Sequence, residues 1–331
     1  MYRNLNSGKV CSSQILFTPN PKILPMINLS GYVRMWYAPT YLYGKRSLRT
    51  ISEYVTSVEY FLNLVGDPSL DEIDPPMNAR FIHGLQAMGL SVETIRKHCR
   101  NLNAVWSKAG PSGHRNRDTL RLVNEAPWIR PPEAYRRLPR EIPDSEADSL
   151  YHATEECAAC FKFPTYLEER RLRPVWWRAL IALVASTAIR RKVVFNLTWG
   201  DFDIGHKYFV VPAEFDKCKT ARRKPIHPDV LRLLDAVKCG DKILPWKHGN
   251  GKFYECWNDL NETAGIMPHL KLHDLKRYSL QLACRSGADA ATLQLLGDHS
   301  SFQTTTAYYV GGNLDKYVST CRLPGTEGGA Q

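Results

Sequence analysis

The chain has 331 residues, of which 44 are lysine or arginine and 33 are aspartate or glutamate, so its net charge is +11 at neutral pH. This excess favours a polyanionic partner over an acidic surface or a membrane. No apolar run approaches the roughly eighteen residues that a transmembrane helix needs, and the start of the chain has no signal-peptide pattern. We therefore expect a cytoplasmic protein with no membrane partner.

The cysteines number nine and are scattered along the chain. An odd, scattered set argues against a disulfide framework and indicates reduced thiols. Cys157 and Cys160 form the closest pair, but no second such pair lies nearby. The helix-like surroundings favour two buried thiols over a metal site.

The N-terminal part of the chain predicts a helical domain. Residues 1–30 contain three prolines and no sustained period, which predicts an extended tail. Apolar residues then recur at helical spacing from Ile51 to Val65 and stop at Gly66, and a later helical pattern opens at Ser91. We expect a compact helical domain over residues 31–125.

A basic, proline-rich stretch follows this domain. Five prolines between Ala126 and Pro143 oppose both helix and strand, so residues 126–143 predict an extended linker. Between Arg96 and Arg140 there are eleven basic and three acidic residues, which can neutralise DNA phosphates. A solvated helix face and a passive hinge would have the same composition. The candidates for DNA contacts are Arg96, Lys97, Arg100, Lys108, Arg115, Arg117, Arg136 and Arg137.

The remaining residues predict a second domain, over 144–323, with a flexible tail at 324–331. Two β-like segments, HKYFVVPA and RRKPIHP, flank a turn at Lys219, as in a hairpin or a three-stranded sheet. Helical patterns cover residues 144–160, 175–186, 230–237, 253–264, 273–286 and 290–296. The predicted fold class is therefore mainly α with a small antiparallel β-sheet.

The segment KLHDLKRYSLQLACRSGADAATLQLLGDHSSFQTTTAYYV, residues 271–310, concentrates groups that can act on a phosphate. Two further segments precede it. STAIRRKVVFNLTWGDFD holds Arg190 after an apolar helical run, and DKCKTARRKPIHP holds Lys219 beside a threonine. The phosphate-binding candidates of the third segment are His273, Lys276, Arg277, His299 and the adjacent Tyr308 and Tyr309.

These three segments, in this order over about 120 residues, resemble the sequence boxes of the tyrosine recombinase, or phage integrase, family. Tyr308 lies nine residues after His299, as the nucleophile of that family lies nine residues after its Leu-Gly-His histidine. The segment SVETIRKHCRNLNAVWSKAG is similar to the last helices of the family's core-binding domain. The resemblance implies a helical N-terminal core-binding domain and an α+β catalytic domain of tyrosine recombinase type.

The resemblance also implies catalytic roles. Tyr308 would attack a DNA phosphodiester and form a 3′-phosphotyrosyl bond, with Tyr309 as the neighbour that could be mistaken for it. Arg190 would grip the phosphate oxygens with its planar guanidinium. No metal, nucleotide or other cofactor is expected, because the phosphotyrosyl bond conserves the energy of the broken ester.

The remaining roles fall to lysine and histidine. Lys219 would protonate the departing 5′-oxygen, and Lys217 is its competitor two residues away. His273 and His299 would hydrogen-bond the transferring phosphate.

The chain departs from the family pattern at three positions. Lys276 stands where the family has its second arginine, and Arg277 is a possible substitute one residue later. Asp298 separates Gly297 from His299, and Val193 stands where the family commonly has an acidic residue that supports the first arginine.

We expect a site-specific recombinase or integrase that acts on double-stranded DNA in the nucleoid. It would be a monomer in solution and a homotetramer on paired sites, with an accessory DNA-bending protein as a candidate partner. Two alternatives stay open: a catalytically weakened relative that binds DNA as a regulator or accessory subunit, and a type IB topoisomerase-like enzyme. Covalent trapping on DNA separates the first from the second, and dependence on a specific site separates it from the third.

Overall fold

The structure is a computed structural model that describes residues 27–113, 116–135, 140–205, 207–216 and 219–298. The chain divides between Arg136 and Arg137 into two compact units. The described residues form a mainly helical fold with one small antiparallel sheet, which confirms the predicted fold class. Within those residues, every helix is too short or too polar to cross a bilayer.

The first unit is helical. Its second and fourth helices begin at Ser47 and Ser91, whose hydroxyls accept hydrogen bonds from backbone N–H groups of the first turn. The second helix ends before Gly66. The φ angle of Gly66 is 108°, and this backbone conformation favours glycine. The helices are α1 (Leu29–Tyr32), which continues as a π-helix over Val33–Leu42, α2 (Leu48–Val65), α3 (Pro75–Ala87) and α4 (Val92–Trp106).

Two predicted boundaries differ from the structure of this unit. Leu29, placed in the predicted tail, begins α1 and is buried in the core. Ile129, placed in the predicted linker, is also buried there, and its backbone N–H and C=O both bond to the amide of Asn103 at 2.8 Å. The reason is the same for both residues: each has an apolar side chain that is buried against the helices of the first unit. The described residues between 126 and 143 otherwise contain no helix or strand.

Among its described residues, the second unit combines eight α-helices and two short 3₁₀-helices, Ala153–Glu155 and Trp199–Asp201, with the sheet. The strands β1 (Phe202–Asp203), β2 (Tyr208–Val211) and β3 (Arg222–Pro225) are antiparallel in the order β1-β2-β3, with Phe202 opposite Phe209 and Val210 opposite Arg223. The helices are α5 (Asp144–His152), α6 (Ala158–Lys162), α7 (Leu172–Thr187), α8 (Arg191–Val194), α9 (Pro228–Ala236), α10 (Asn250–Thr263), α11 (Leu272–Arg285) and α12 (Ala290–Gly297).

The predicted helix over residues 144–160 is broken in the structure. Helix α5 ends at His152, and the backbone is extended at Cys157 before α6 begins. Cys157 and Cys160 are both free and buried, as predicted, so the break places two thiols in the core of the second unit.

Helix α7 is the central element of this core. It buries residues on every face, among them Trp176, Trp177 and Leu180, and it packs against α9 and α11. It ends at Ala188, whose φ of 54° is left-handed and terminates the helix. The chain turns there, and Arg190 follows at the N-terminus of α8.

Candidate active site

Arg190 lies at the centre of a group of charged side chains. Its Nη1 atom is 3.4 Å from Asp298 Oδ2 and 3.8 Å from Asp216 Oδ1, and its Nη2 donates to the backbone oxygen of Asp298 at 3.3 Å. The side chain retains 29% exposure. Two carboxylates therefore hold the guanidinium while part of it faces solvent.

The acidic support for Arg190 comes from an unexpected place. Val193 is buried in the apolar core, so α8 provides no carboxylate. Asp216, from the loop between β2 and β3, and Asp298, from the end of α12, provide it instead. Asp298 was visible in the sequence only as an insertion before His299, and Asp216 carried no signal at all.

Strand β3 adds two more cations. The Nε of Arg222 donates to Asp216 Oδ2 at 3.1 Å. Lys224 is buried, its Nζ lies 2.7 Å from Asp298 Oδ1, and it donates to the backbone oxygens of Leu295, at 3.2 Å, and of Leu296. Burial lowers the pKa of Lys224, although Asp298 opposes the shift. Neither residue was among the sequence candidates.

Helix α11 brings Lys276 to the same group. Its Nζ donates to the backbone oxygens of Ala188, at 2.6 Å, and Gly297, at 2.7 Å, and lies 3.5 Å from Asp298 Oδ2. The side chain is almost completely buried. Burial lowers the pKa of Lys276 to about 7, with Asp298 acting in the opposite direction and Arg190 adding to the decrease.

His273 and Arg277 lie on the same helix as Lys276. His273 is an exposed residue, but the surrounding protein displaces enough water to lower its pKa, and the charges of Lys276, Arg277 and Arg190 lower it further. A neutral imidazole can both donate and accept a hydrogen bond. Arg277 donates from Nη1 to Asp274 Oδ1 at 3.3 Å, a contact within its own helix.

Lys219 lies in the loop between β2 and β3. It is exposed, its φ is 57°, and its backbone N–H donates to the backbone oxygen of Asp216 at 3.2 Å. The loop thus joins Lys219 directly to a residue that holds Arg190. The other sequence candidates Lys217, His299, Tyr308 and Tyr309 lie outside the described residues.

The described part of the site has an excess of positive charge. Four cations, with Lys276 in its protonated form, face two carboxylates, so the net charge is +4 − 2 = +2. One phosphodiester anion would still leave a positive site. The four cations are Arg190, Arg222, Lys224 and Lys276, and the two carboxylates are Asp216 and Asp298.

The basic residues predicted to contact DNA differ in their surroundings. Arg100 is exposed on α4, whereas Arg96 is partly buried and donates to the backbone oxygen of Pro132 at 2.5 Å. Lys108 donates to Asn116 Oδ1 and to the backbone oxygen of Asp118, both at 2.7 Å. Lys97 is partly exposed and Arg117 is exposed. Arg115, Arg136 and Arg137 lie outside the described residues.

Comparisons with known proteins agree with the fold. The model of the phage integrase family matches residues 142–313. None of the curated proteins matches the chain. Solved structures resemble it at low sequence identity, and the likeness concerns the fold.

Three of these structures cover most of the chain. A lambda integrase dimer bound to a COC′ core site has a TM-score of 0.62 and 17% identity, over 86% of this chain and 77% of that chain. The XerH site-specific recombinase bound to a palindromic difH substrate has a TM-score of 0.61 and 16% identity, over 82% and 79%. The Tn1549 transposon integrase in complex with transposon right end DNA has a TM-score of 0.63 and 14% identity, over 86% and 97%.

Proposed function

The chain belongs to the phage integrase family, and on this premise we propose that it is a site-specific recombinase that cleaves and rejoins double-stranded DNA through a 3′-phosphotyrosyl intermediate. The observation that carries the proposal is the convergence of Arg190, on the turn before α8, with β3, α11 and the end of α12. A positively charged group beside a partly exposed guanidinium suits a phosphodiester.

In the proposed reaction, the hydroxyl oxygen of Tyr308 attacks the scissile phosphorus, and the bond from phosphorus to the 5′-oxygen breaks. Arg190 stabilises the charge on the non-bridging oxygens, which is greatest in the transition state. His273, neutral at physiological pH because its pKa is lowered, and His299 hydrogen-bond the phosphate, and one of the two accepts the single tyrosyl proton. Lys219 donates a proton to the departing 5′-oxygen.

Rejoining reverses these steps with the 5′-hydroxyl of a second strand. Its oxygen attacks the phosphotyrosyl phosphorus, its proton returns to Lys219, and Tyr308 leaves and is reprotonated. One phosphoester bond is formed for each one broken, so the exchange requires no external source of energy.

Strand exchange between two sites needs more than one active site. A lambda integrase tetramer bound to a Holliday junction resembles this chain with a TM-score of 0.64 and 16% identity, over 86% of this chain and 77% of that chain. We propose a monomer in solution that forms a homotetramer on paired DNA sites, with an accessory DNA-bending protein as a further candidate partner. Light scattering of the protein with and without duplex DNA that carries its site tests this assembly.

One observation favours a second candidate, a catalytically weakened relative that binds DNA as a regulator. The carboxylate of Asp298 lies beside Arg190, where it competes with a phosphate for the guanidinium. A regulator of this kind would bind specific DNA without forming a covalent bond.

Covalent capture in cells distinguishes these functions and identifies the DNA. The full-length protein is purified under denaturing conditions, which remove non-covalent partners, and the attached DNA is sequenced. We expect inverted half-sites around a short spacer, and no recovery from a Tyr308→Phe variant. Scattered attachment would favour a topoisomerase-like enzyme. DNA recovered only by native purification would favour the regulator.

A further inference from the structure

The ends of two helices meet at one buried ammonium group. The last carbonyl groups of a helix have no partner within it and carry the negative end of its dipole. Lys276 Nζ supplies the missing partner at the ends of both α7 and α12. It donates to the backbone oxygens of Ala188, at 2.6 Å, and of Gly297, at 2.7 Å. Lys224 caps the same end of α12 through the oxygens of Leu295 and Leu296.

Three oxygen atoms inside the protein lie close to the Lys276 ammonium. It donates to the two backbone oxygens, and Asp298 Oδ2 lies 3.5 Å from Nζ as its ion-pair partner. An ammonium has three donors and no more. Lys276 therefore faces the interior of the second unit, and a phosphate bound to Arg190 would find this amine already occupied.

Asp298 joins the two lysines to Arg190. The backbone of Asp298 is left-handed, with φ of 52°, at the end of α12. This turn places its carboxylate 2.7 Å from Lys224 Nζ and 3.4 Å from Arg190 Nη1. The carboxylate is almost fully buried, so removal of a partner would leave an uncompensated charge in a medium of low polarity.

We propose that Lys276, Lys224 and Asp298 form a positioning clamp, in which Lys276 holds the ends of α7 and α12 together and Asp298 orients Arg190. Lys276 is then a positioning residue and not the second ligand of the phosphate. The role of Arg190 in this proposal rests on the proposed function, whereas the clamp itself does not. The lysine at position 276 and the additional aspartate at position 298 are parts of one device.

The clamp and a phosphate-ligand role predict opposite effects of Lys276→Arg. If Lys276 gripped the phosphate, a guanidinium would restore bidentate contact and maintain or increase cleavage. In the clamp, a larger planar group must enter a closed space shaped for an ammonium. We expect Lys276→Arg to lower the unfolding midpoint by about 3 to 10 °C and to reduce the rate of adduct formation on a nicked duplex of the captured site.

A double-mutant cycle tests the clamp independently of catalysis. Lys276→Met, Asp298→Asn and the double variant are compared by thermal unfolding of the full-length protein, with exposed Lys242→Met as the matched control. We expect the double variant to lose clearly less than the sum of the single losses, because removing both charges leaves neither unpaired. If Lys276→Met does not fold, Lys276→Gln, which removes the charge and keeps a hydrogen-bond donor, replaces it in the cycle.

A split of the kinetic constants separates a positioning role from a purely structural one. We expect Asp298→Asn to leave the Kd for the captured duplex nearly unchanged and to lower the first-order rate of adduct formation by about 10-fold or more. Additive midpoints in the cycle would overturn the clamp, and so would a Lys276→Arg variant as stable and as fast as the wild type. Absence of any adduct from the wild type would refute the proposed function. The double-mutant cycle would still test the clamp, because it measures stability and not catalysis.

Discussion

Asp216 lies beside Arg190, with its Oδ1 atom 3.8 Å from Nη1 of the guanidinium. It supplies a carboxylate that α8 lacks, since α8 carries the buried Val193 three residues after Arg190. The same carboxylate accepts a hydrogen bond from the Nε of Arg222. Asp216 thus connects the turn before α8 to strand β3. The carboxylate beside Arg190 therefore comes from a loop of the sheet and not from α8.

We predict that Asp216→Ala lowers the free energy of unfolding by about 3 to 5 kcal/mol, because two partly buried guanidinium groups lose a buried partner. Urea denaturation of the full-length protein measures the change. Glu214→Ala, at an exposed position two residues away, is the control and should be nearly neutral. Equal effects of both substitutions would mean that the loop as a whole, and not the carboxylate, supports the site.

The role of Lys219 can be tested with the leaving group of the substrate. We predict that Lys219→Ala slows cleavage of the captured duplex by about 10² to 10⁴-fold, the contribution of a general acid. A sulfur atom in place of the 5′-bridging oxygen leaves without protonation, so this duplex should be cleaved at nearly the wild-type rate. Lys219 is exposed, and the substitution should leave the unfolding midpoint unchanged.

Lys217→Ala is the matched variant for that experiment. If it shows the rescue by sulfur and Lys219→Ala does not, Lys217 is the acid. A loss that sulfur rescues in neither variant would exclude both lysines from that role.

The identity of the nucleophile follows from two conservative substitutions. We predict that Tyr308→Phe binds the captured duplex normally and forms no covalent adduct on a nicked form of it, because only the hydroxyl oxygen is removed. Tyr309→Phe should still form the adduct, which gel electrophoresis under denaturing conditions detects. The opposite pair of results would assign the nucleophile to Tyr309.

Lys276 should make stability depend on pH. The pKa of a lysine in an unfolded chain is about 10.4, whereas burial lowers the pKa of Lys276 to about 7 in the folded protein. Between these values the unfolded state binds a proton that the folded state does not, so the free energy of unfolding rises with pH from about 7 to about 10. The charged groups that face this amine are Asp298, Lys224 and Arg190.

Urea denaturation at pH 6.5, 8 and 9.5 measures this effect. We predict that the rise is smaller in Lys276→Met than in the wild type, and that Lys242→Met retains the full rise. Lys224, whose pKa burial also lowers, should account for part of what remains in Lys276→Met. Parallel curves for all three proteins would show that Lys276 titrates at its ordinary pKa.

The basic residues of α4 should differ in their effect on DNA binding. We predict that Arg100→Ala reduces the slope of log K against log salt by about 1, since one exposed cation releases about one counterion. Lys108→Ala should instead lower stability, because its ammonium holds the backbone of Asp118 and the side chain of Asn116. Fluorescence anisotropy with a duplex of arbitrary sequence, at several salt concentrations, gives the slopes. An unchanged slope for Arg100→Ala would remove that residue from the interface.

The sequence was sufficient where the signal was local. Ser91 marked a helix start, Gly66 marked a helix end, and the segments around Lys219 marked β2 and β3. Each of these features depends on residues that are neighbours in the chain. The family resemblance assigned Arg190 and Lys276 to one site through two separate boxes, and in the structure both lie near Asp298.

The sequence was insufficient where partners are distant in the chain. Lys224 and Asp298 are 74 residues apart by their numbers, and neither a period nor a spacing relates them. The backbone of the buried Ile129 likewise bonds to the side-chain amide of Asn103, which lies 26 residues earlier, on α4. Such contacts arise only when separate elements pack, so no local pattern could have predicted them.

The position of Asp298 between two buried lysines has a consequence for the history of the chain. Without the aspartate, the lysine would be a buried ammonium that lacks a carboxylate partner, and without the lysine, the aspartate would be a buried carboxylate that lacks one of its ammonium partners, so either change alone is costly. The two substitutions should therefore be inherited as a pair. Among natural relatives, we expect a lysine at the position of Lys276 to occur together with an acidic residue at the position of Asp298.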